Sequence, residues 1–384
     1  MNSSSMNRRS FLKLSSVAAA AATVGRAALA RGAETELEVE AEPDVAYRTL
    51  GLTGMKVSVI GYGAMRTREA PVIRAAFDRG VNWLDTARGY MGGTNESICA
   101  EALKGYRDKV YVTTKTDARS KSEIFREAEE SLRSLQTDHV DLYLLHSVDE
   151  REELTNQEAR EAMVQLREQG KVRFLGVSTH EPVKVLDAVL QDEDKFFDVV
   201  LLTYNFKSPE AVKEAIARAA AAGVGIVAMK TQAGGYKTKE LGDISPHQAA
   251  LKWVLQDTNV STTVPAMVDL QQVNEDTAVM AMMELTNVER QILNRYGAAI
   301  APFYCIGCKK CRPTCPRGVD VPTVNRCLMY AEGYGDIELA RTTYAELPAE
   351  LTAAVCVDCP ECLADCPNGL RIAHKMRRAM KILA

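Results

Sequence analysis

Two short stretches near the C-terminus restrict this chain more than anything else in it: CIGCKKCRPTCP and CVDCPECLADCP, each reading C-x2-C-x2-C-x3-C-P. They use eight of the ten cysteines, Cys305, Cys308, Cys311 and Cys315 in the first copy and Cys356, Cys359, Cys362 and Cys366 in the second. That is the bacterial spacing for a 4Fe-4S cluster in full, closing proline included. A structural zinc site asks for pairs separated by longer loops. Disulfides explain neither the identical spacing nor the two prolines. The region is therefore expected to fold around two 4Fe-4S clusters with these cysteines as ligands. Cys99 and Cys327 lie outside the pattern on helix-like segments and read as buried packing residues.

At the other end, NRRSFLKLSS, residues 7–16, puts Arg8 and Arg9 ahead of an uncharged run and the small-residue string AALA. A basic head, a short apolar middle and a cleavage site in that order make a secretory signal, and the paired arginines resemble a twin-arginine signal. The apolar middle is shorter than the about 20 residues a membrane span needs, so cleavage near Ala30 is expected and no permanent membrane anchor. Removing residues 1–30 takes away Arg8, Arg9, Lys13 and Arg26 and no acid, which moves the formal charge from −4 to −8. Nothing in that balance suits nucleic acid or an anionic membrane surface. Residues 31–45, with an acid at almost every second position, read as a flexible spacer. Iron–sulfur clusters are inserted in the reducing cytoplasm, so a chain carrying them must fold before export. The twin-arginine translocase moves folded cargo, which points to the periplasm or another extracytoplasmic space of a bacterium.

Between these ends the chain alternates short β-branched runs with amphipathic segments. VSVIGYG, NWLD, KVYVTTK, VDLYLLH, RFLGVS, DVVLLTYN, GIVAMK and STTVPA are eight strand candidates, each followed by a helix candidate. Eight such units within about 250 residues match a parallel (β/α)8 TIM barrel, residues 46–297, better than an open sheet. YRTLGLTGMK ahead of the first unit reads as a hairpin with Gly54 in its turn. From residue 298 to 384 the composition shifts to Cys, Pro and Gly around a mostly helical stretch. This second, small domain resembles the helical dicluster ferredoxins. By that resemblance the fourth cysteine serves the other cluster: Cys366 joins Cys305, Cys308 and Cys311, and Cys315 joins Cys356, Cys359 and Cys362.

Catalytic groups in such a barrel stand where strands end. That rule selects Asp85 at the end of NWLD, Tyr90 just after it, Lys115 ending VYVTTK and His146 ending DLYLLH. An acid, a phenol, an amine and an imidazole at one rim suit carbonyl reduction: Tyr90 protonates the forming alkoxide, Lys115 lowers the phenol's pKa, Asp85 holds Lys115 and His146 orients the oxygen. NWLDTARGY, VYVTTK, DLYLLHS and FLGVSTH resemble the aldo/keto reductase family, a barrel that uses NADPH. The resemblance implies that Ser178 binds the nicotinamide carboxamide, with Thr179 where many relatives have Asn. Leu201 stands where relatives have Gln, Met229 where they have a stacking aromatic ring, and Ala266 and Gln272 where a Lys and an Arg grip the 2′-phosphate. Lys230, next to Met229, can add positive charge. Binding of NADP(H) or NAD(H) is thus left open between resemblance and residues. His139, His180, His247 and His374 read as solvated or capping residues.

Together these features lead to an exported oxidoreductase that interconverts a carbonyl and an alcohol of a small molecule, with two 4Fe-4S clusters passing electrons to or from a redox partner protein. Hydride moves two electrons and a cluster moves one, so a two-to-one splitter is required, and no flavin motif is visible. The alternatives are an electron-transfer or scaffold protein with a non-catalytic barrel, and a plain NADPH-dependent carbonyl reductase. The four rim residues argue against the scaffold, and the replaced cofactor contacts argue against the plain reductase.

Overall fold

Residues 45–237 and 244–384 are described by a computed structural model; the twin-arginine segment, the cleavage point near Ala30 and most of the acidic spacer lie outside them. The described chain begins with a hairpin, β1 (Tyr47–Thr49) antiparallel to β2 (Lys56–Ser58). Gly54 in its connection has φ 77°, a left-handed conformation that suits glycine. The Arg48 guanidinium donates to the carbonyls of Leu255 (2.7 Å), Asp257 (3.1 Å) and Val260 (2.6 Å). Leu52 N donates to Gly223 O at 2.9 Å. These partners precede the last two barrel strands, so the hairpin covers the end of the barrel where strands begin, away from the candidate site.

Eight parallel strands follow in chain order: β3 (Tyr62–Gly63), β4 (Trp83–Asp85), β5 (Tyr111–Thr116), β6 (Val140–Leu145), β7 (Val172–Thr179), β8 (Val199–Thr203), β9 (Gly225–Met229) and β10 (Thr262–Thr263). An Ile60–Thr263 bridge and the Gly63 N to Pro265 O bond (2.9 Å) bring the last strand back to the first. The run VSVIGYG is divided between β2 and β3, because Ser58 pairs with Tyr47 in the hairpin and its N–H donates to Asn82 Oδ1 at 2.7 Å. Strands such as β5 and β6 are buried along their whole length, as a parallel sheet covered on both faces requires. At Gly176 in β7 any Cβ would lie 2.4 Å from Val199 O and 2.6 Å from Leu144 Cδ2, so glycine is what lets the neighbouring strands approach. The helix Lys121–Leu135 turns Ile124, Ala128, Leu132 and Leu135 toward the barrel at helical spacing.

The helix Asn287–Ile300, started by a Thr286–Glu289 capping box, carries the chain out of the barrel. The expected boundary at residues 297–298 falls inside it. Beyond it lie the cysteine loops and the helices Val321–Glu332, Ile337–Ala345 and Ile372–Ile382. Tyr296 and Ile300 share one apolar cluster with Val324, Leu328 and Met376 from the C-terminal segment and with Ala233 and Tyr236 from the barrel. Barrel and C-terminal segment thus pack on a common core. Cys99 and Cys327 are fully buried, as packing residues should be. Among the described residues no helix is long and apolar enough to cross a membrane.

Candidate active site

Three successive strand ends supply the rim. Asp85 closes β4, Tyr90 begins a short turn behind it, Lys115 lies in β5 and His146 follows β6 directly. Lys115 Nζ donates to Asp85 Oδ2 at 2.8 Å, to Thr86 O at 2.7 Å and to Tyr90 OH at 3.3 Å. The same ammonium sits 4.9 Å from the centre of the Tyr90 ring, and the His146 ring meets Tyr90 edge-on at 5.8 Å. All four expected residues therefore converge on one spot. His146 Nδ1 is 3.0 Å from Asp117 Oδ1. Burial works against an ionised Asp117, yet His146 and Arg119 hold it below the usual carboxylate range.

The electrostatics differ from expectation in one respect. Burial, with Asp85 adding to it, pushes the Tyr90 phenol well above its ordinary value, so Lys115 does not depress it. The reason is the Lys115–Asp85 pair itself: an ammonium 2.8 Å from a carboxylate has little net charge left to offer a neighbour. Burial raises Asp85 and lowers Lys115, and their pairing opposes both shifts.

Asp85, Tyr90 and His146 open into a cavity of about 1170 Å³, which is larger than a small substrate needs. Its roof comes from the C-terminal segment: Arg326 and Tyr330 on one helix, Tyr334 after it and Glu346 near the next. Tyr330 and Tyr334 stack with centroids 5.4 Å apart. Arg66 holds Tyr334 from the barrel side, donating to its carbonyl at 2.8 Å and lying 4.4 Å over its ring. Barrel periodicity carries no trace of these roof residues, which lie more than two hundred positions from Tyr90. The only local signal is the pair Tyr330 and Tyr334, one helical turn apart. His180 and His247, read from the sequence as solvated or capping, line the cavity instead; burial and the charges of Arg326 and Lys230 keep His180 well below its ordinary value.

Of the expected cofactor contacts, Lys230 lines the cavity. Ser178 and Thr179 are buried and engaged elsewhere. Ser178 Oγ accepts from Ser147 N at 2.9 Å and Thr179 Oγ1 donates to Asp149 Oδ1 at 3.2 Å, which fixes the loop that carries His146. Leu201 is buried in β8, while Met229, Ala266 and Gln272 reach the cavity. Gln272 accepts from Val268 N at 3.1 Å, and the surrounding wall holds Asp269, Glu275 and Asp276. Burial, reinforced by Glu275, raises Asp276 well above its ordinary value. A 2′-phosphate finds acids there in place of the cations it needs, so these residues do not fit NADP(H) held by that contact.

The eight motif cysteines are unpaired and mostly half-buried, Cys311 buried and Cys362 exposed. The thiols acting on Cys305 are Cys311, Cys308 and Cys366; those acting on Cys356 are Cys315, Cys359 and Cys362. Each set of four thus takes three sulfurs from one motif and one from the other. Among the described residues no three ligand-type groups are placed to hold a single metal ion. Backbone and amide donors already face two of the sulfurs: Gly307 N to Cys305 Sγ at 3.4 Å and Asn368 Nδ2 to Cys308 Sγ at 3.7 Å. Lys309, inside the first motif, ties the segment to the barrel rim through Asp149 (3.2 Å) and Glu181 (3.1 Å).

Comparison with known proteins agrees with this architecture. The aldo/keto reductase family model matches residues 58–241, the 4Fe-4S dicluster domain model residues 304–370 and the twin-arginine translocation signal model residues 5–25. The uncharacterized oxidoreductase YrpG of Bacillus subtilis is 31% identical over 221 residues, 49% of this chain and 67% of its own. The aldo-keto reductase YhdN of the same organism is 34% identical over 155 residues, 34% of this chain and 46% of that protein, so the match spans about half of the relative. Among solved structures, an aldo/keto reductase of Klebsiella pneumoniae in complex with NADP and acetate is 26% identical with a TM-score of 0.55, covering 65% of this chain and 94% of that one. AKR11C1 of Bacillus halodurans, in its holo form, is 25% identical with a TM-score of 0.56 over 65% of this chain and 96% of its own. With a closed eight-stranded barrel, a 4Fe-4S dicluster segment behind it and a twin-arginine signal ahead of it, the chain belongs to the aldo/keto reductase family.

Proposed function

We propose that the protein is an exported iron–sulfur oxidoreductase that interconverts a carbonyl and an alcohol on a small molecule. One observation carries the reading: Tyr90 OH lies 3.3 Å from Lys115 Nζ, which is paired with Asp85, on a cavity roofed by the cysteine-bearing segment. When a hydride equivalent reaches the carbonyl carbon, the oxygen gains negative charge. Tyr90, kept protonated by burial, then delivers its proton to that oxygen. Lys115 hydrogen-bonds the phenolate left behind. His146 orients the carbonyl, its ring steadied by Asp117. Proton transfer of this kind is worth roughly 10²- to 10⁴-fold in rate.

Two 4Fe-4S clusters are assigned to Cys305, Cys308, Cys311 and Cys366 and to Cys356, Cys359, Cys362 and Cys315, a division the thiol neighbours support. Bound there, they supply one-electron transfer. Tyr304, next to Cys305, meets Asn205 Nδ2 at 2.9 Å, and that amide also donates to Lys230 O at 3.0 Å. One sulfur ligand is thereby linked to the cavity wall by two hydrogen bonds. A redox partner protein outside the cytoplasm, in the periplasm, exchanges single electrons with the clusters, and the hydride itself requires a two-electron carrier to join that one-electron traffic to the carbonyl. The twin-arginine translocase is the partner during export.

The deciding experiment compares carbonyl turnover of the wild type and Tyr90→Phe at equal iron content. Loss of the proton donor should lower turnover by about two orders of magnitude or more. Equal turnover would leave the barrel as a scaffold for electron transfer.

A further inference from the structure

The structure assigns to the substrate a carboxylate, held opposite its reacting carbonyl by Lys230 of the barrel and Arg326 of the cysteine-bearing segment. This rests on the carbonyl–alcohol reading above. Lys230 follows β9 with φ 56°, a left-handed conformation uncommon outside glycine. The bend lets its side chain line the cavity. Its ammonium meets the Tyr330 hydroxyl at 3.4 Å and lies 5.4 Å from that ring's centre, and no carboxylate pairs with it among the described residues. The protein treats other sequestered lysines differently: Lys115 has Asp85, Lys252 has Glu289 and Lys375 has Glu332. Lys230 is half-buried on the cavity wall, where a cation without a counter-charge favours an anionic ligand.

Arg326 lines the same cavity, and its Nε is buried without a hydrogen-bond partner. Glu346, exposed on the roof, feels its charge but forms no ion pair with it among the described residues. Burial lowers Lys230 and the nearby Arg326 adds to that, as expected of two cations that share a space. His180, between rim and roof, is kept neutral by the same surroundings and offers one more hydrogen bond.

Two arguments assign the anion to the substrate and not to a dinucleotide. Arg326 comes from the roof, and the Ala266–Gln272 wall, where relatives place the phosphate clamp, is acidic in this protein. Tyr330, the partner of Lys230, also acts electrostatically on Tyr90, and the cations and the proton donor line one cavity. A planar carboxylate suits a guanidinium and an ammonium side by side. The class of substrate is an oxo acid, or the matching hydroxy acid, whose carboxylate lies away from its reacting carbonyl.

The test is calorimetric titration of the full-length, cluster-loaded protein with 4-carboxybenzaldehyde and with its neutral isostere 4-carbamoylbenzaldehyde. The wild type should prefer the carboxylate by about tenfold or more, the worth of one charge-assisted hydrogen bond. Arg326→Gln and Lys230→Gln should each bring the two probes to near equality without weakening the amide, whereas Arg326→Lys should keep most of the preference. Iron content and the visible absorbance of the clusters report whether each variant has kept its fold. No preference in the wild type, or a preference that survives both neutral substitutions, overturns the assignment. So does weakening of NADPH binding in the two variants with the probe preference intact, since the cations would then serve a cofactor phosphate. If the preference behaves as expected but neither aldehyde is reduced with any electron donor, the carboxylate site stands and the carbonyl–alcohol reading fails.

Discussion

Lys115 and Cys362 are both assigned to chemistry, yet the lysine is 1% exposed and the cysteine is open to solvent. The barrel encloses its reacting groups within a hydrogen-bonded sheet that closes on itself, so their positions follow from backbone geometry. The cysteine loops have no strand to hold them among the described residues. Order in the barrel is supplied by the polypeptide. Order in the loops has to be supplied by iron and sulfide, whose binding energy becomes folding energy.

The contrast breaks most severely if iron can be withdrawn without consequence. Anaerobic chelation should abolish the visible absorbance, loosen the helices after residue 320 and make the loops sensitive to protease, while the barrel stays folded but melts somewhat lower, having lost part of the core it shares with those helices. Cooperative loss of both regions would show that the barrel depends on the clusters as well.

A smaller effect is expected from Lys115→Met, which leaves Asp85 buried without its partner. Removing one member of a buried pair costs about 3–5 kcal/mol, and turnover should fall with it. Burial already raises Asp85. The penalty in the variant therefore develops as pH rises above the unfolded-state value of about 3.9 and disappears below it, where the carboxyl is neutral in both states. Thermal melts of wild type and variant at acid and neutral pH measure this, and a destabilisation that does not change with pH would contradict the assignment of the loss to Asp85.

Lys309→Met sharpens the contrast at the seam. Burial opposes its charge, but Asp149 and Glu181 outweigh that and raise it above the ordinary lysine value. Each ion pair is partly exposed, so the loss should be only about 1 kcal/mol in all. It should appear as easier proteolysis of the cysteine loops with an unchanged barrel melt.

The smallest change expected is a gain. Asp276 is buried and raised well above its ordinary value, so at neutral pH the fold bears the cost of ionising it or keeping it protonated. Asp276→Asn should raise the melting temperature by about 1–3 °C at neutral pH. The gain should vanish below about pH 3.9, where folded and unfolded chains both hold the proton. A lower melting temperature would mean that the Gln232 contact to its carboxylate at 2.9 Å outweighs the burial cost.

Local patterns carried the barrel and its rim because both depend on short segments: NWLD and VYVTTK name their own strand ends, and Asp85, Tyr90 and Lys115 follow. The first strand was harder, since Ser58 answers to Tyr47 and Asn82, which a run of β-branched residues does not reveal. The direction of the Tyr90 shift was misjudged because counting a nearby ammonium ignores that Asp85 has already neutralised it. Arg326 and Tyr330 escaped for another reason. A roof is formed by residues distant in sequence, and no periodicity in either part says that one will cover the other.

The helix Asn287–Ile300 places Tyr296 and Ile300 in an apolar cluster shared by barrel and C-terminal segment. Anyone transplanting the cluster module onto another enzyme, or trimming it away to obtain a bare barrel, meets this helix as the joint. A cut at residue 297 would leave Tyr296 on one product and Ile300 on the other, each without its partners. A cut ahead of Thr286 keeps the capping box and the shared cluster residues of this helix with the module, but strips Ala233 and Tyr236 of the surface they pack against. The two halves are grafted at the level of a core and do not behave as interchangeable cassettes.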